Sequence, residues 1–249
     1  MNTAASSSVI DTLEVLPPVR RALTDFVAAQ QAAFGPALHS ITLFGSAAEG
    51  RMSPHSDVNL MTVLSQVDRG AFARLSADYR AAHAAARISC MFIRLDEIPA
   101  AYRSFAVKFE DIANRRQILV GADPFAGLAM SAEDMRRRAR EDLLNLTLRL
   151  RERTIFHSDA PEQLETVIFE VSSGVRVAAA AILWLEGAPR LAPSEALEQL
   201  LKSGEPHWLR TVQTISAVRQ NQTVSRQAIQ TAIDDLHDIF AWMRKRIGD

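Results

Sequence analysis

Residues 45–60 read Gly45-Ser46-Ala47-Ala48-Glu49-Gly50-Arg51-Met52-Ser53-Pro54-His55-Ser56-Asp57-Val58-Asn59-Leu60. Before them, His39 to Phe44 (HSITLF) alternates and carries Ile and Thr, which predicts a short strand. Asp57 to Leu64 (DVNLMTVL) predicts a second strand. The stretch therefore leaves one strand, crosses a turn rich in Gly, Ser, Ala and Pro, and enters another. Gly45 permits a ligand to approach the backbone closely, and Ser46 adds a hydroxyl and an amide. A helical turn starting there points N–H groups at an anion. Asp57 and Asn59 stand two apart on a strand, so both side chains project to one face, toward the glycine turn. An anion cradle opposite a pair of hard oxygen donors suits a magnesium–nucleotide complex.

Working outward, Val19, Leu23, Phe26, Val27 and Phe34 recur at helical spacing until Gly35-Pro36 stops them. Arg69 to Ala86 is Ala-rich and helical, and Ile88 to Leu95 (ISCMFIRL) predicts a third strand. Helix, strand, strand, helix, strand describes an α/β or α+β domain on a small sheet. Past Gly121–Gly127 (GADPFAG) strand signals nearly vanish. Ser131 with Asp134 marks a capped helix start, followed by an apolar face of Met135, Ala139, Leu143, Leu146 and Leu150. A helix after Pro161 runs through Leu164 to Leu185, Pro193 and Pro206 open two more, and Val224 to Ile247 is the last. Short Gly/Pro connections between them predict an antiparallel bundle. The expected domains are residues 1–125 and 130–249, with no internal repeat between or within them.

Composition narrows the classes. The chain has 249 residues, a formal net charge of −1 and the single cysteine Cys90, so an internally stapled secreted scaffold is excluded. Near-neutral charge argues against a partner as anionic as long nucleic acid. The first eighteen residues lack a basic start and continuous apolar stretch, and the longest apolar run, Val177 to Leu185, has nine residues against the roughly 20 that span a bilayer. A cytoplasmic protein without a membrane partner is expected.

The 45–60 segment resembles the signature of the nucleotidyltransferase superfamily that includes DNA polymerase beta, the aminoglycoside nucleotidyltransferases and the minimal nucleotidyltransferases. That signature runs Gly-Ser, a short turn usually with Ala-Arg-Gly, then Ser-Asp-x-Asp-Leu entering a strand. Gly45, Ser46, Ala48, Gly50, Ser56, Asp57 and Leu60 match it without a gap. Ile118 to Phe125 (ILVGADPF) is similar to the Leu-Tyr-Gly-x-Asp-Pro stretch that often closes such a domain, and a helical C-terminal domain is common in the family. The resemblance implies a nucleotidyltransferase-type domain with a small mixed sheet, followed by an all-α bundle. It implies transfer of a nucleoside monophosphate from a nucleoside triphosphate to a hydroxyl on a small molecule or protein. Gly45, Ser46 and Arg51 would meet the phosphates. Asp57 would be catalytic and, with Asn59, would hold Mg2+.

Three positions depart from the pattern. Family enzymes use three carboxylates to hold two magnesium ions. Here the second position is Asn59, and the third falls near Ser89, with Met91 its same-face neighbour. Asp96 and Glu97 lie about 23 Å along that strand at roughly 3.3 Å per residue. Glu49 stands at the motif arginine position. Unit charges 4 Å apart interact by roughly 4 kcal/mol at an effective dielectric of 20, and twice that for a dication. Losing two of three anions therefore weakens metal binding by orders of magnitude, while the triphosphate keeps its own charge. Two readings follow: a nucleotidyltransferase with an impaired metal site, or an inactive nucleotide-binding or regulatory, antitoxin-type module.

Other residues carry weaker signals. His55 is expected in an exposed loop, and Arg136 to Arg140 on a solvated face beside Glu133, Asp134, Glu141 and Asp142. Cys90 is expected to be a small buried residue. Arg151 and His157 fit the loose spacing of the HEPN ribonucleases but lack their usual Arg-Asn start. Trp184, Trp208 and Trp242 fall in helical patterns and are expected as core or domain-interface residues, and one helix of the bundle is a candidate homodimer face.

Overall fold

The computed structural model describes residues 9–52, 56–158 and 163–248; His55 and Pro161 lie outside them. The chain divides into two compact units, Met1–Arg103 with Phe109–Ala129, and Ser104–Lys108 with Met130–Asp249.

In the first unit, Pro17 and Pro18 pre-set the opening turn of α1 (Pro17–Phe34), which ends at Gly35. The strands are β1 (Leu38–Phe44), β2 (Val58–Leu64), β3 (Ile88–Arg94) and β4 (Arg116–Gly121). Between β2 and β3 lies α2 (Arg69–Ala86), whose first amides are capped by Asp68 through bonds of 2.9 Å from Gly70 N–H and 3.0 Å from Ala71 N–H. Between β3 and β4 lie α3 (Ile98–Ser104) and α4 (Ala106–Asn114). The sheet order is β3-β2-β1-β4, with β1 antiparallel to β2 and β4, and β2 parallel to β3. This is the small mixed sheet expected, with β4 added to the strands read from the first 95 residues.

The period-two alternation of the strands places Ile41, Leu43, Val58, Leu60, Leu64 and Ile88 in one buried cluster with Leu23, Phe26, Val27 and Leu75 of α1 and α2. A second group holds the end of the sheet: Tyr102 and Phe109 pack on Phe125 at ring distances of 5.9 and 6.2 Å. Asp123 accepts two hydrogen bonds from Arg116 of β4, at 3.1 and 2.6 Å, and one from Phe125 N–H at 3.1 Å. The Gly-Ala-Asp-Pro-Phe stretch is thus a structural stop. Gly121 has φ +79°, and a Cβ there would stand 2.0 Å from the His39 carbonyl oxygen of the neighbouring strand.

The second unit consists of α5 (Ala132–Phe156), α6 (Leu164–Leu185), α7 (Pro193–Leu201), α8 (Trp208–Arg219) and α9 (Arg226–Arg246). Ser131 and Ser225 cap α5 and α9 by accepting from Asp134 N–H and Ala228 N–H. The central helix is α6, which packs against all four others. Its run Leu164, Val167, Ile168, Val171, Val175, Ala178, Ile182 is buried because it faces neighbours on several sides. Among the described residues it alone is long and apolar enough to cross a membrane, and 56% of its apolar window is buried inside the protein.

Candidate functional site

Strand direction assembles the site. Because β1 runs against β2 and β4, its C-terminal end lies beside their starts, and parallel β3 starts at the same end. Register places Phe44 opposite both Asn59 and Arg116, and Asn59 beside Ser89. Gly45, Asp57, Asn59, Arg87, Ser89 and Arg115 therefore belong to one end of the sheet.

The turn after β1 is a single 3₁₀ turn, Gly45–Ala47. Gly45 has φ +77°, a left-handed conformation that other residues adopt only with strain. Its N–H donates to the Arg115 carbonyl at 2.9 Å, Arg51 N–H donates to the Ser46 carbonyl at 2.9 Å, and Gln117 Nε2 donates to the Ala48 carbonyl at 2.6 Å. The start of β4 thus clamps the turn from both sides. A Cβ on Gly45 would lie 3.5 Å from Arg115 Nη2 and 3.9 Å from Asn59 Nδ2, so a guanidinium and an amide converge on the glycine. Ser46 is half-buried and Arg51 exposed.

Asp57 stands just before β2 and is exposed. Its carboxylate pairs with Arg87 Nε at 2.9 Å, each side chain 53% exposed. Arg87 reaches it from the left-handed residue (φ 51°) that ends α2 and precedes β3. Asn59 Nδ2 donates to the Asp57 main-chain carbonyl at 3.5 Å, at the limit of a hydrogen bond. Beside Asn59, Ser89 is exposed.

Glu49 and Arg115 form a second cluster. Arg115 Nη1 donates to Asp111 at 3.1 Å, and its Nε lies 3.2 Å from Glu49 Oε2, an ion pair without hydrogen-bond alignment. Burial pushes the Asp111 carboxyl up from its ordinary value, opposed by Arg115 and reinforced by the charge of Glu49. The acid at the motif arginine position is thus tied to Arg115, the residue just ahead of β4. Asp96 and Glu97 are engaged at the far end of β3 by Arg94, through Arg94 Nη2 to Asp96 at 2.6 Å and Arg94 N–H to Glu97 at 2.9 Å.

A pair of magnesium ions does not fit these donors. Asp57 brings one carboxylate, already facing a guanidinium, while Asn59 and Ser89 bring none. Among the described residues no three His, Cys, Asp or Glu side chains gather into a metal-binding group.

The remaining sequence candidates fall elsewhere. Arg151 is exposed, whereas His157 is buried at the C-terminus of α5, its N–H held by the Arg153 carbonyl. Cys90 bonds with Thr62 at 3.3 Å, and burial pushes its thiol up to about 12. Arg137 and Arg138 pair with Asp134, Glu141 and Asp142 along α5. Trp208 is buried and packs on Trp242 at 5.4 Å.

The chain is similar to spectinomycin adenyltransferase AAD(9) from Enterococcus faecialis, whose crystal structure contains ATP and spectinomycin, with a TM-score of 0.63 over 92% of this chain and 99% of that one. The fold is nucleotidyltransferase-like. Sequence identity in that comparison is 11%, so the likeness is one of fold. No family model and no curated protein matches the sequence. Arg87 and Arg115 were not among the sequence candidates. Their only trace is a basic residue just ahead of β3 and another just ahead of β4.

Proposed function

We propose that the chain binds a nucleoside triphosphate at the turn after β1, with Gly45, Ser46 and Arg51 against the phosphates, and that transfer from the bound nucleotide is impaired. The domain carrying this site would span residues 1–125, with the helical domain at 130–249. One observation carries the reading: the sheet end keeps the glycine turn and its converging donors, but the register sets Asn59 beside Ser89, leaving Asp57 as the single motif carboxylate. An anion site does not need the carboxylates, whereas magnesium-dependent transfer does. The chain then acts as a binding or regulatory module.

A second reading draws on the fold likeness, which spans 99% of an adenyltransferase chain solved with ATP and spectinomycin. In it the protein transfers a nucleoside monophosphate slowly to a hydroxyl of a small molecule or protein, with Asp57 as the catalytic residue and Asp57 and Asn59 as weak Mg2+ ligands. Calorimetric titration with ATP, GTP, CTP and UTP, with Mg2+ and with EDTA, paired with a pyrophosphate-release assay, separates the two. Binding that differs little between Mg2+ and EDTA, without release, is the expected result. Release abolished by Asp57→Ala would establish the enzyme instead, and absence of binding by every nucleotide would remove the phosphate site.

A further inference from the structure

Two arginines face each other in the helical unit without an acid between them. Ser172 and Arg176 are one turn apart on α6, and Ser216 and Arg219 share a face of α8. They bond crosswise: Arg176 Nη2 donates to Ser216 Oγ at 3.0 Å, and Arg219 Nη1 donates to Ser172 Oγ at 3.0 Å. Ser172 is fully buried and gives its own proton to the Phe169 carbonyl at 2.7 Å. The Arg219 guanidinium lies 5.6 Å from the centroid of the Phe169 ring. Glu170, on the same helix, is held by Arg153 at 2.9 Å.

The guanidinium groups are thus satisfied in part by hydroxyl oxygens and a ring face, and among the described residues by no carboxylate. Arg176 Nε is buried without a hydrogen-bond partner. Burial, and then the charge of Arg219, push the Arg176 guanidinium down to about 10. Two like charges partly out of water are unfavourable unless an anion shares them.

We propose that Arg176, Arg219 and the Ser216 hydroxyl form a binding site for a phosphate-type oxyanion. A tetrahedral phosphate offers enough oxygens to engage two guanidinium forks and a hydroxyl together, whereas one fork already satisfies a carboxylate. The site is built by residues of the second unit alone and does not depend on the nucleotide reading.

The test uses the intact chain. All three tryptophans belong to the second unit, so their fluorescence follows its thermal unfolding. Inorganic phosphate, glycerol 2-phosphate and acetate are titrated at matched ionic strength. Phosphate is expected to raise the midpoint saturably and acetate not to. The monoester arm distinguishes a free ion from a phosphoryl group on a larger molecule. Arg176→Gln and Arg219→Gln each weaken the apparent phosphate affinity at least tenfold, and the milder Arg219→Lys, which keeps charge but loses the fork, weakens it less. Arg176→Met raises the midpoint in phosphate-free buffer by relieving the like-charge pair, and abolishes the phosphate response. No saturable rise, an equal rise with acetate, or an undiminished response in the arginine variants overturns the site.

Discussion

Asn59 differs from an aspartate by one atom type: an amide nitrogen stands where a second carboxylate oxygen would. That nitrogen lies 3.9 Å from where a Gly45 Cβ would be and 3.5 Å from the Asp57 carbonyl, so an aspartate at the same position would set its charge beside Asp57. The exposed Asp57–Arg87 pair opposes this weakly, since such pairs contribute less than about 1 kcal/mol. Asn59→Asp is therefore expected to raise Mg2+ affinity at least about tenfold, measured by calorimetric titration of the free protein, because each 1.4 kcal/mol is a factor of ten. Unchanged affinity would mean that the missing ligand at Ser89 dominates. At this scale the motif from Gly45 to Leu60 is legible in the sequence, because its residues are neighbours in the chain and each has a local reason for its type. Arg87 and Arg115 are not legible, because their place depends on the strand pairing that sets Asn59 beside Ser89 and Phe44 opposite Arg116.

Among the elements, β4 holds the site together from behind, and its stop is electrostatic. Hydrogen bonding from Arg116, the largest influence, keeps the Asp123 carboxyl below its ordinary value of 3.8 despite some desolvation. The folded state then favours ionised Asp123 over the unfolded chain. The stability from this link is present above the ordinary carboxylate value and is lost as pH falls through the lowered one. Asp123→Asn is expected to cost about 1 kcal/mol at pH 7, with the difference closing in acid, as urea denaturation at pH 7 and at pH 3 would record. A constant difference across that range would assign the effect to packing around Phe125. Of the longer helices, an apolar stripe declares α1, α5 and α9 and an Ala-rich run α2, while Pro193 and Pro206 announce α7 and α8. α3 and α4 are too short for a stripe to declare them: Ile98 and Tyr102 in the one, and Ala106, Phe109 and Ile112 in the other, bury a face of about two turns, and Phe105 between the helices is exposed. Residues 118–120 carry strand-compatible apolar side chains, but only pairing with β1 makes β4 a fourth strand of the sheet.

For the whole molecule, the decisive fact is that buried apolar residues form separate clusters, one around the sheet and one around α6. A chain with two cores need not unfold in one step. The aromatic residues provide a readout: Trp184, Trp208 and Trp242 all lie in the second unit, whereas Tyr79 and Tyr102 lie in the first. Tryptophan fluorescence therefore follows the helical core, while far-UV circular dichroism follows both. Leu43 is fully buried in the sheet core and Ile182 in the helical core. Truncating either to alanine removes buried methyl groups and leaves a cavity, at a cost of about 3 kcal/mol. Leu43→Ala is expected to move an early part of the dichroism transition to lower urea while the fluorescence midpoint stays in place. Ile182→Ala is expected to lower the fluorescence midpoint. If Leu43→Ala lowers both probes equally, the units unfold as one.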